Sequence, residues 1–335
     1  MASNSALLPV TFHRFHRAIR KQLLAWFQKE AKSFPWRRLE PEEGGAVIVD
    51  PYVVLVSEVM LQQTQSARVA ARLPEFLRQF PTVAALAAAS KGDLLRAWQG
   101  LGYNRRALRL QLAARGILEH HSGVFPRSAQ QLRALPGLGE YTVAAIQCFA
   151  FGMDVPVVDV NVQRVLSRLL FRCHGARQVM PPATVAAVAA AILPAGDSFR
   201  WHQALMDLGS TICTARKPRC SVCPARRNCA SGPISQLALF HPDDVRPPEP
   251  TLCGIPRRFW RGKMVETLRH AKAGVPAHQL VAEAAKLLGY QKKMKLKEER
   301  DGLEILATLI QEGLAARTGV QEGELREGDL VMLPG

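Results

Sequence analysis

The sequence lacks long apolar runs, and this absence excludes whole classes of protein. No stretch reaches the ~18 consecutive apolar residues that a membrane-spanning helix requires. The N-terminal segment, MASNSALLPVTFHRFHRAIRKQLLAWF, carries His and Arg within its apolar stretches, so it lacks the continuous apolar region of a secretory signal. We therefore expect a cytoplasmic protein with no membrane partner.

Regular alternation of apolar and polar residues is also scarce. Such alternation marks half-buried β-strands, and its scarcity in the first two-thirds of the chain argues against a β-sheet protein. No internal repeat of about 20–50 residues is visible. Apolar residues at helical spacing are frequent instead, and they predict helices over residues 12–33, 52–64, 66–79, 83–89, 92–99, 104–121, 128–134, 140–151, 160–171, 181–193 and 199–210.

Acidic residues are in short supply. The chain has 28 Asp and Glu against 44 Lys and Arg, which gives a formal net charge of +16. An excess of this size suits a polyanionic partner, and nucleic acid is the commonest one. The alternative is a generally basic protein whose charge serves only solubility.

The last third of the chain differs in composition. Residues 231–252 are rich in proline and predict a linker between a first domain, residues 1–230, and a second, residues 253–335. The second domain has three helical segments, 258–271, 276–288 and 301–317, followed by strand-like pieces at 323–327 and 329–333. That order is typical of a winged helix, which often contacts DNA. Packing against the first domain is the alternative.

The stretch LPGLGEYTVAAIQCFAFGMDVPVVDVNVQRVLSR organises the first domain. Its glycines, Gly137 and Gly139, permit a tight turn between two helices, and the helix that follows presents unpaired N–H groups suited to a phosphate. About twenty residues later a lone acid, Asp159, precedes another helical run. A phosphate anchor followed by an acid suggests chemistry on a held nucleic-acid backbone. The alternative is a Gly-rich helix turn with Asp159 as an N-cap.

Four of the seven cysteines fall within seventeen residues, with the spacing C-x6-C-x2-C-x5-C. In a cytoplasmic protein such a cluster indicates a metal site rather than disulfides. The spacing suits a cubane iron–sulfur cluster, although zinc also accepts four sulfur ligands. The loop 213–229 also carries several cationic side chains, which suit a phosphate backbone. The cysteines are Cys213, Cys220, Cys223 and Cys229.

Taken together, these motifs resemble those of the helix-hairpin-helix DNA glycosylases with an iron–sulfur cluster, the endonuclease III superfamily. Within it, SEVMLQQTQ, GLGYNRRA, VDVNVQRVLSR and ALMDLGSTIC are most similar to the MutY-type adenine glycosylases. The resemblance covers about residues 12–230 and not 253–335. It implies a [4Fe–4S] cluster on the four cysteines and an all-α fold, in which a two-lobed glycosylase domain precedes the winged-helix-like domain.

The resemblance also implies catalytic roles. Glu58 matches the general acid that protonates the leaving base, and Asp159 matches the carboxylate that stabilises the cationic sugar. Asn161 matches the residue that hydrogen-bonds this carboxylate or the water. Tyr141 stands where lyase-competent relatives have a lysine that forms a Schiff base, so we expect a monofunctional enzyme.

A further set of residues matches the parts of the family that contact DNA. Gln62, Gln63 and Thr64 match the segment pushed into the duplex, and Leu101, Gly102 and Tyr103 match the loop at the opposite base. Three departures stand out. The family's usual Asp-Gly-Asn reads Asp-Val-Asn at 159–161, its usual double Tyr reads Tyr-Asn at 103–104, and residues 253–335 show no Nudix-like pattern.

The resulting interpretation is a monomeric base-excision-repair enzyme that works on double-stranded DNA at the nucleoid. It would hydrolyse the N-glycosidic bond of adenine mispaired with guanine or 8-oxoguanine, after the nucleotide is flipped out of the duplex. One alternative is a mismatch glycosylase that removes thymine or uracil opposite guanine. Others are a non-catalytic DNA-binding protein and a bifunctional, endonuclease III-like enzyme.

Overall fold

The structure is a computed structural model, and it describes residues 10–38, 40–41, 47–175, 179–232, 249–318 and 323–335. The chain divides into two compact units, each assembled from separate segments. The first unit comprises Met1–Leu55, Pro126–Ala134 and Leu138–Arg246. The second unit comprises Val56–Phe125, Leu135–Gly137 and Pro247–Gly335.

Helices account for most of the described chain, which confirms the predicted mostly-α fold. None of those helices combines the length and apolar character needed to span a membrane. In chain order they are α1 Val10–Glu30, α2 Pro51–Leu61, α3 Ser66–Gln79, α4 Val83–Ala88, α5 Lys91–Ala97, α6 Arg105–His121, α7 Ala129–Ala134, α8 Glu140–Ala145, α9 Val160–Phe171, α10 Pro182–Ala191, α11 Ser198–Thr211, α12 Arg257–His270, α13 Ala277–Leu287 and α14 Leu296–Gln311.

The strands are two or three residues long. β1 Glu40–Pro41 pairs antiparallel with β2 Val47–Ile48, and β3 Thr251–Leu252 pairs with β4 Ile255–Pro256. β5 Val275–Pro276, β6 Ala316–Arg317 and β7 Leu330–Met332 form an antiparallel sheet in the order β5-β7-β6. Of the predicted linker, residues 233–248 lie outside the described residues, and Thr251–Leu252 already belong to β3. The predicted domain boundaries stay a prediction.

The core of the first unit is built where α9 packs against α10 and α11, and where α11 packs against α1. Val162, Val165, Leu166 and Leu169 follow the i, i+3, i+4, i+7 spacing that puts apolar side chains on one helix face, and all four are buried. Gly209 on α11 allows the close approach of α9, because a Cβ at this position would lie 2.8 Å from the Cβ of Asn161.

The second unit has a core of aromatic and aliphatic side chains from α3 to α6. The rings of Phe76 and Trp98 meet edge to face with centroids 5.8 Å apart, and both side chains are buried. Thr82 and Ser90 cap α4 and α5, since their hydroxyl oxygens accept hydrogen bonds from the N–H groups of Ala85 (3.1 Å) and Asp93 (3.0 Å). These caps set the boundaries that the local sequence predicts.

Residues 257–332 have the helix and strand order of a winged helix, with two corrections to the prediction. The third helix is α14 rather than residues 301–317, because the Glu298 carboxylate accepts from the Lys295 N–H (2.8 Å) at its start, and Gly313, at φ 70°, follows its end. The predicted strand at 323–327 is wrong, since those residues form no strand and β6 takes the place beside β7.

Candidate active site

Asp159 is held at the N-terminus of α9. One carboxylate oxygen accepts from the Val162 N–H (2.7 Å), and the other accepts from the Asn161 side-chain amide (2.8 Å). The helix N-terminus is the positive end of the helix dipole, so it favours a carboxylate. The N-cap geometry, which was the alternative interpretation of Asp159, and the predicted Asn161 partner are both present, and together they orient the carboxylate.

Asn161 extends this network into the interior. Its side-chain oxygen accepts from the Arg164 guanidinium (2.9 Å), which also donates to the carbonyls of Gly209 (2.8 Å) and Cys213 (3.0 Å). Burial lowers the pKa of Arg164, and the nearby Cys213 opposes that shift. A continuous hydrogen-bonded chain thus joins the acid to the first residue of the cysteine loop. The sequence reasoning missed Arg164, although its place five residues after the acid puts it on the same helix.

His202 supports the segment that leads into Asp159. Its Nε2 accepts from the Val157 N–H (2.9 Å), and its Nδ1 donates to the Ser198 carbonyl (2.8 Å). Only the neutral imidazole with its proton on Nδ1 satisfies both partners. Burial lowers the pKa of His202 to about 4, because the charged imidazolium loses its hydration.

This shift predicts a dependence of stability on pH. The folded-state pKa lies below the unfolded value of about 6.5, so the unfolded state takes up the proton first as the pH falls. We expect the free energy of unfolding to drop by about 3 kcal/mol between about pH 7 and about pH 4 because of this residue. Denaturant unfolding of the wild type and His202→Gln across that range measures it. Equal pH dependence in the two proteins would contradict the assignment.

Arg106 joins the two segments of the second unit that carry the predicted DNA-contacting residues. It is buried on α6, and its guanidinium lies 5.5 Å from the Trp98 ring and 5.6 Å from the Tyr103 ring. Burial lowers its pKa to about 10. Its six acceptors lie at the C-terminal end of α2, in the turn that follows α2 and in the turn before α6. They are the carbonyls of Val59, Met60, Gln62, Leu101 and Gly102 and the hydroxyl of Thr64.

Both turns held by Arg106 present exposed polar or aromatic side chains in left-handed backbone conformations. Gln63 has φ 56° and Tyr103 has φ 46°, a region that non-glycine residues adopt only when the surroundings enforce it. Gln62, Gln63 and Tyr103 are exposed. Leu101 is buried, and its carbonyl accepts from the Arg106 guanidinium. The structure therefore brings the predicted DNA-contacting turns together on one buried arginine, which sequence reasoning missed.

Replacing Arg106 with lysine is expected to lower the free energy of unfolding by about 3 kcal/mol, because a single ammonium cannot satisfy acceptors spread over two turns. Excision should slow as well, since the turns lose their fixed geometry. Arg105→Lys on the same helix is the matched control, because Arg105 is exposed and lies 3.5 Å from Glu312. Denaturant unfolding that ranks the two variants as equally stable would contradict this role.

The remaining predicted residues are placed as follows. Glu58 lies on α2 in the second unit and is only 6% exposed. Tyr141 is the second residue of α8 and is half-buried. Gly137, at φ 81°, makes the turn before α8, and a Cβ there would lie 3.0 Å from the Cβ of Arg109. Gly139 is the N-cap of α8, which continues as a π-helix over Ile146–Ala150.

The four loop cysteines line one cavity beside the core of the first unit, together with Leu208 and Ile212. In the part of the chain that the structure describes, no three His, Cys, Asp or Glu side chains converge closely enough for a single metal ion. Arg168, buried on α9, donates to the carbonyls of Thr214 (2.8 Å) and Ala215 (3.0 Å). The four cysteines therefore line one shared space.

Comparison with known proteins identifies the class. Residues 56–180 match the family described as "HhH-GPD superfamily base excision DNA repair protein". The structure of a thermostable thymine-DNA glycosylase is also similar, with a TM-score of 0.58 and 26% identity, covering 66% of this chain and 97% of that one. The fold and the site thus define a helix-hairpin-helix DNA glycosylase of base excision repair.

Two curated relatives refine the assignment. The adenine DNA glycosylase of Mycobacterium tuberculosis (strain CDC 1551 / Oshkosh) is 41% identical over 261 residues, which cover 77% of this chain and 81% of that protein. The human adenine DNA glycosylase is 40% identical over 220 residues, which cover 63% of this chain and 39% of the human protein. The chain belongs to the family of adenine DNA glycosylases. The predicted family is confirmed.

Proposed function

We propose that this protein removes adenine mispaired with guanine or 8-oxoguanine by hydrolysing the bond between the base and the sugar. The observation that carries the proposal is the 41% identity, over most of both chains, to an adenine DNA glycosylase. The buried acid Glu58 and the capped acid Asp159 supply the two carboxyl groups that such a hydrolysis needs. They lie in different units, and each is positioned by its own surroundings.

Glu58 would act as the general acid. Protonation of the flipped-out adenine lets the base leave with the electron pair of the glycosidic bond, and the sugar is left as a cation. Water then adds its oxygen to the sugar carbon, and its proton returns to the carboxylate. The burial of Glu58 on α2 keeps bulk water away from this proton transfer.

Asp159 would stabilise the sugar cation electrostatically. Its carboxylate is already oriented by the Val162 N–H and by Asn161, so it does not reorganise when the positive charge develops. Tyr141 cannot form a Schiff base, which supports a monofunctional reaction. An enzyme of this kind gives no covalent adduct when borohydride is added during the reaction, and a trapped adduct would overturn the monofunctional assignment.

Main-chain and side-chain groups would bind the duplex. Gly137, in the turn before α8, and Gly139, the N-cap of α8, would present backbone N–H groups to a phosphate. Two turns would enter the duplex around the target pair. One carries Gln62, Gln63 and Thr64, and the other carries Leu101, Gly102 and Tyr103.

We further infer that Cys213, Cys220, Cys223 and Cys229 hold a [4Fe–4S] cluster, because their thiols share one cavity. When bound, the cluster supplies a fixed scaffold for the loop. The loop then presents its cationic side chains, which suit contact with phosphates. The side chains are Arg216, Lys217, Arg219, Arg226 and Arg227.

A panel of duplexes tests the proposal. The protein is incubated with A·G, A·8-oxoguanine, T·G and U·G pairs, and alkali then cleaves the strand at abasic sites. We expect cleavage at adenine. Cleavage only at thymine or uracil would establish the second candidate, a mismatch thymine/uracil glycosylase, which the likeness to the thymine-DNA glycosylase favours.

Acting on genomic DNA, the enzyme would work as a monomer in the cytoplasm, at the nucleoid.

A further inference from the structure

The C-terminal segment of the second unit, residues 249–335, contacts the loop of residues 100–104, which we call the Tyr103 loop. At the end of α12, Arg269 donates through Nε to the Leu95 carbonyl (2.8 Å) and through Nη2 to the Asn104 side-chain oxygen (2.8 Å). Burial lowers the pKa of Arg269 to about 10. The Arg269 guanidinium is largely removed from water, so its two hydrogen bonds replace contacts with solvent, unlike those of an exposed surface charge.

Asn104 is unusual for its position. It is the residue before α6, where an asparagine side chain ordinarily caps the helix by accepting from a backbone N–H. Here it makes no such capping bond, and its oxygen faces Arg269 instead. The side chain therefore ties the Tyr103 loop to α12 rather than stabilising its own helix.

The same loop is fixed from its other side. Arg106 donates to the carbonyls of Leu101 and Gly102, and the Trp98 indole N–H also donates to the Gly102 carbonyl (3.1 Å). Tyr103 follows with a positive φ and a side chain that is 54% exposed. An exposed aromatic ring on a rigid, strained turn is suited to stack on a base. The position of the Tyr103 loop is thus set on one side by Arg106 and Trp98, and on the other side by Arg269 of the C-terminal segment.

Direct reading of DNA by helix α14 is disfavoured by its charge. In a winged helix the third helix enters the major groove. Its counterpart here, α14, has more acids than bases, which would repel phosphates. The acids are Glu298, Glu299, Asp301 and Glu304, against Lys297 and Arg300.

We propose that the C-terminal segment acts as a brace for the Tyr103 loop, with Arg269 as a positioning residue that acts through Asn104. This proposal rests on the function proposed above and adds a determinant of selectivity. The braced loop holds the Tyr103 ring against the base opposite the excised one. Without the brace, the Tyr103 loop would contact every opposite base in much the same way. The ratio of excision rates between the best and the worst opposite base would then fall more than the affinity for DNA.

Single-turnover excision from duplexes that place adenine opposite guanine, 8-oxoguanine or cytosine tests the proposal on the full chain. We expect Arg269→Gln to reduce the ratio between the best and the worst opposite base about 10-fold, a change of about 1.4 kcal/mol. Asn104→Ala should reduce it similarly, and the double variant should be no worse than either single one. Asn104→Asp should keep the ratio, since a carboxylate still accepts from Arg269.

Lys263→Gln is the matched control, because it removes one positive charge from the same helix, and Lys263 pairs with Glu266 rather than with the Tyr103 loop. It should leave the ratio unchanged. An unchanged ratio in Arg269→Gln, additive losses in the double variant, or an equal loss in Lys263→Gln would each overturn the brace. If Arg269→Gln does not fold, the proposal is tested by the ratio between opposite bases in the other two variants, which should fall in Asn104→Ala and stay unchanged in Asn104→Asp. A wild type that excises no adenine refutes the proposed function instead.

Discussion

Replacing Asp159 with asparagine is expected to slow base excision about 10³-fold, a loss of about 4 kcal/mol of transition-state stabilisation. Asparagine keeps the size of the side chain and remains a good N-cap, so its oxygen still accepts from the Val162 N–H. The substitution removes the negative charge that faces the sugar cation in the proposed mechanism, together with the oxygen that accepts from the Asn161 amide. Single-turnover kinetics on an A·8-oxoguanine duplex, together with thermal unfolding, separates the chemical effect from a folding defect.

Asp197→Asn provides the control for this experiment. Asp197 is the residue before α11, as Asp159 is the residue before α9, and its nearest cationic partner is Arg200 at 3.8 Å. It has no part in the proposed chemistry, so its variant should excise adenine at the wild-type rate. An Asp159→Asn protein with more than a tenth of the wild-type rate would remove Asp159 from the mechanism.

Replacing Cys223 with serine should abolish the proposed cluster and unfold the loop around it. Cys223 is half-buried, and the loss of hydration raises the pKa of its thiol to about 12. It lines the cavity shared by the other three cysteines. Without the loop, Arg168 and Arg164 lose their carbonyl partners at residues 213–215, and Arg164 keeps only its acceptors outside the loop. A buried charged donor that loses its acceptor costs at least about 1–3 kcal/mol.

Iron and sulfide analysis, the visible absorption spectrum and DNA affinity measure this outcome. Affinity should fall at least about 10-fold, because the cationic loop no longer faces the phosphates in a fixed arrangement. Cys253→Ser is the control, since Cys253 lies outside the loop. Purified wild-type protein that holds zinc and no sulfide would overturn the cluster assignment, and retained iron and sulfide in Cys223→Ser would remove this cysteine from its ligands.

The helices show which features local sequence can predict. Helix α3 lies at the predicted residues 66–79 and α9 at the predicted residues 160–171, because each carries its own apolar periodicity, and α9 also has the Asp159 cap at its start. The third C-terminal helix and the strand beside β7 were misplaced. There the boundary depends on the Glu298 cap and on the pairing of Ala316–Arg317 with β7, a strand more than ten residues away.

The residues that position the site were harder to predict than those that match its motifs. Asp159, Asn161 and the cysteines stand in short motifs whose spacing is itself the signal. The buried arginines Arg106 and Arg164 donate to backbone carbonyls about 45 residues away in sequence. A backbone carbonyl is present at every residue, so no side-chain pattern marks its partner.

The sequence by itself determined the helical class, the two acids, the tyrosine in place of a lysine and the four clustered cysteines, because each depends on residue type and short-range spacing. The tertiary structure alone decided which side chains hold the turns that carry Gln63 and Tyr103, and that Arg269 of the C-terminal segment reaches Asn104. Those contacts arise when helices distant in sequence pack together and bury charged side chains. The cost of removing these charges from water is offset where carbonyl and amide oxygens lie close enough to accept their hydrogen bonds.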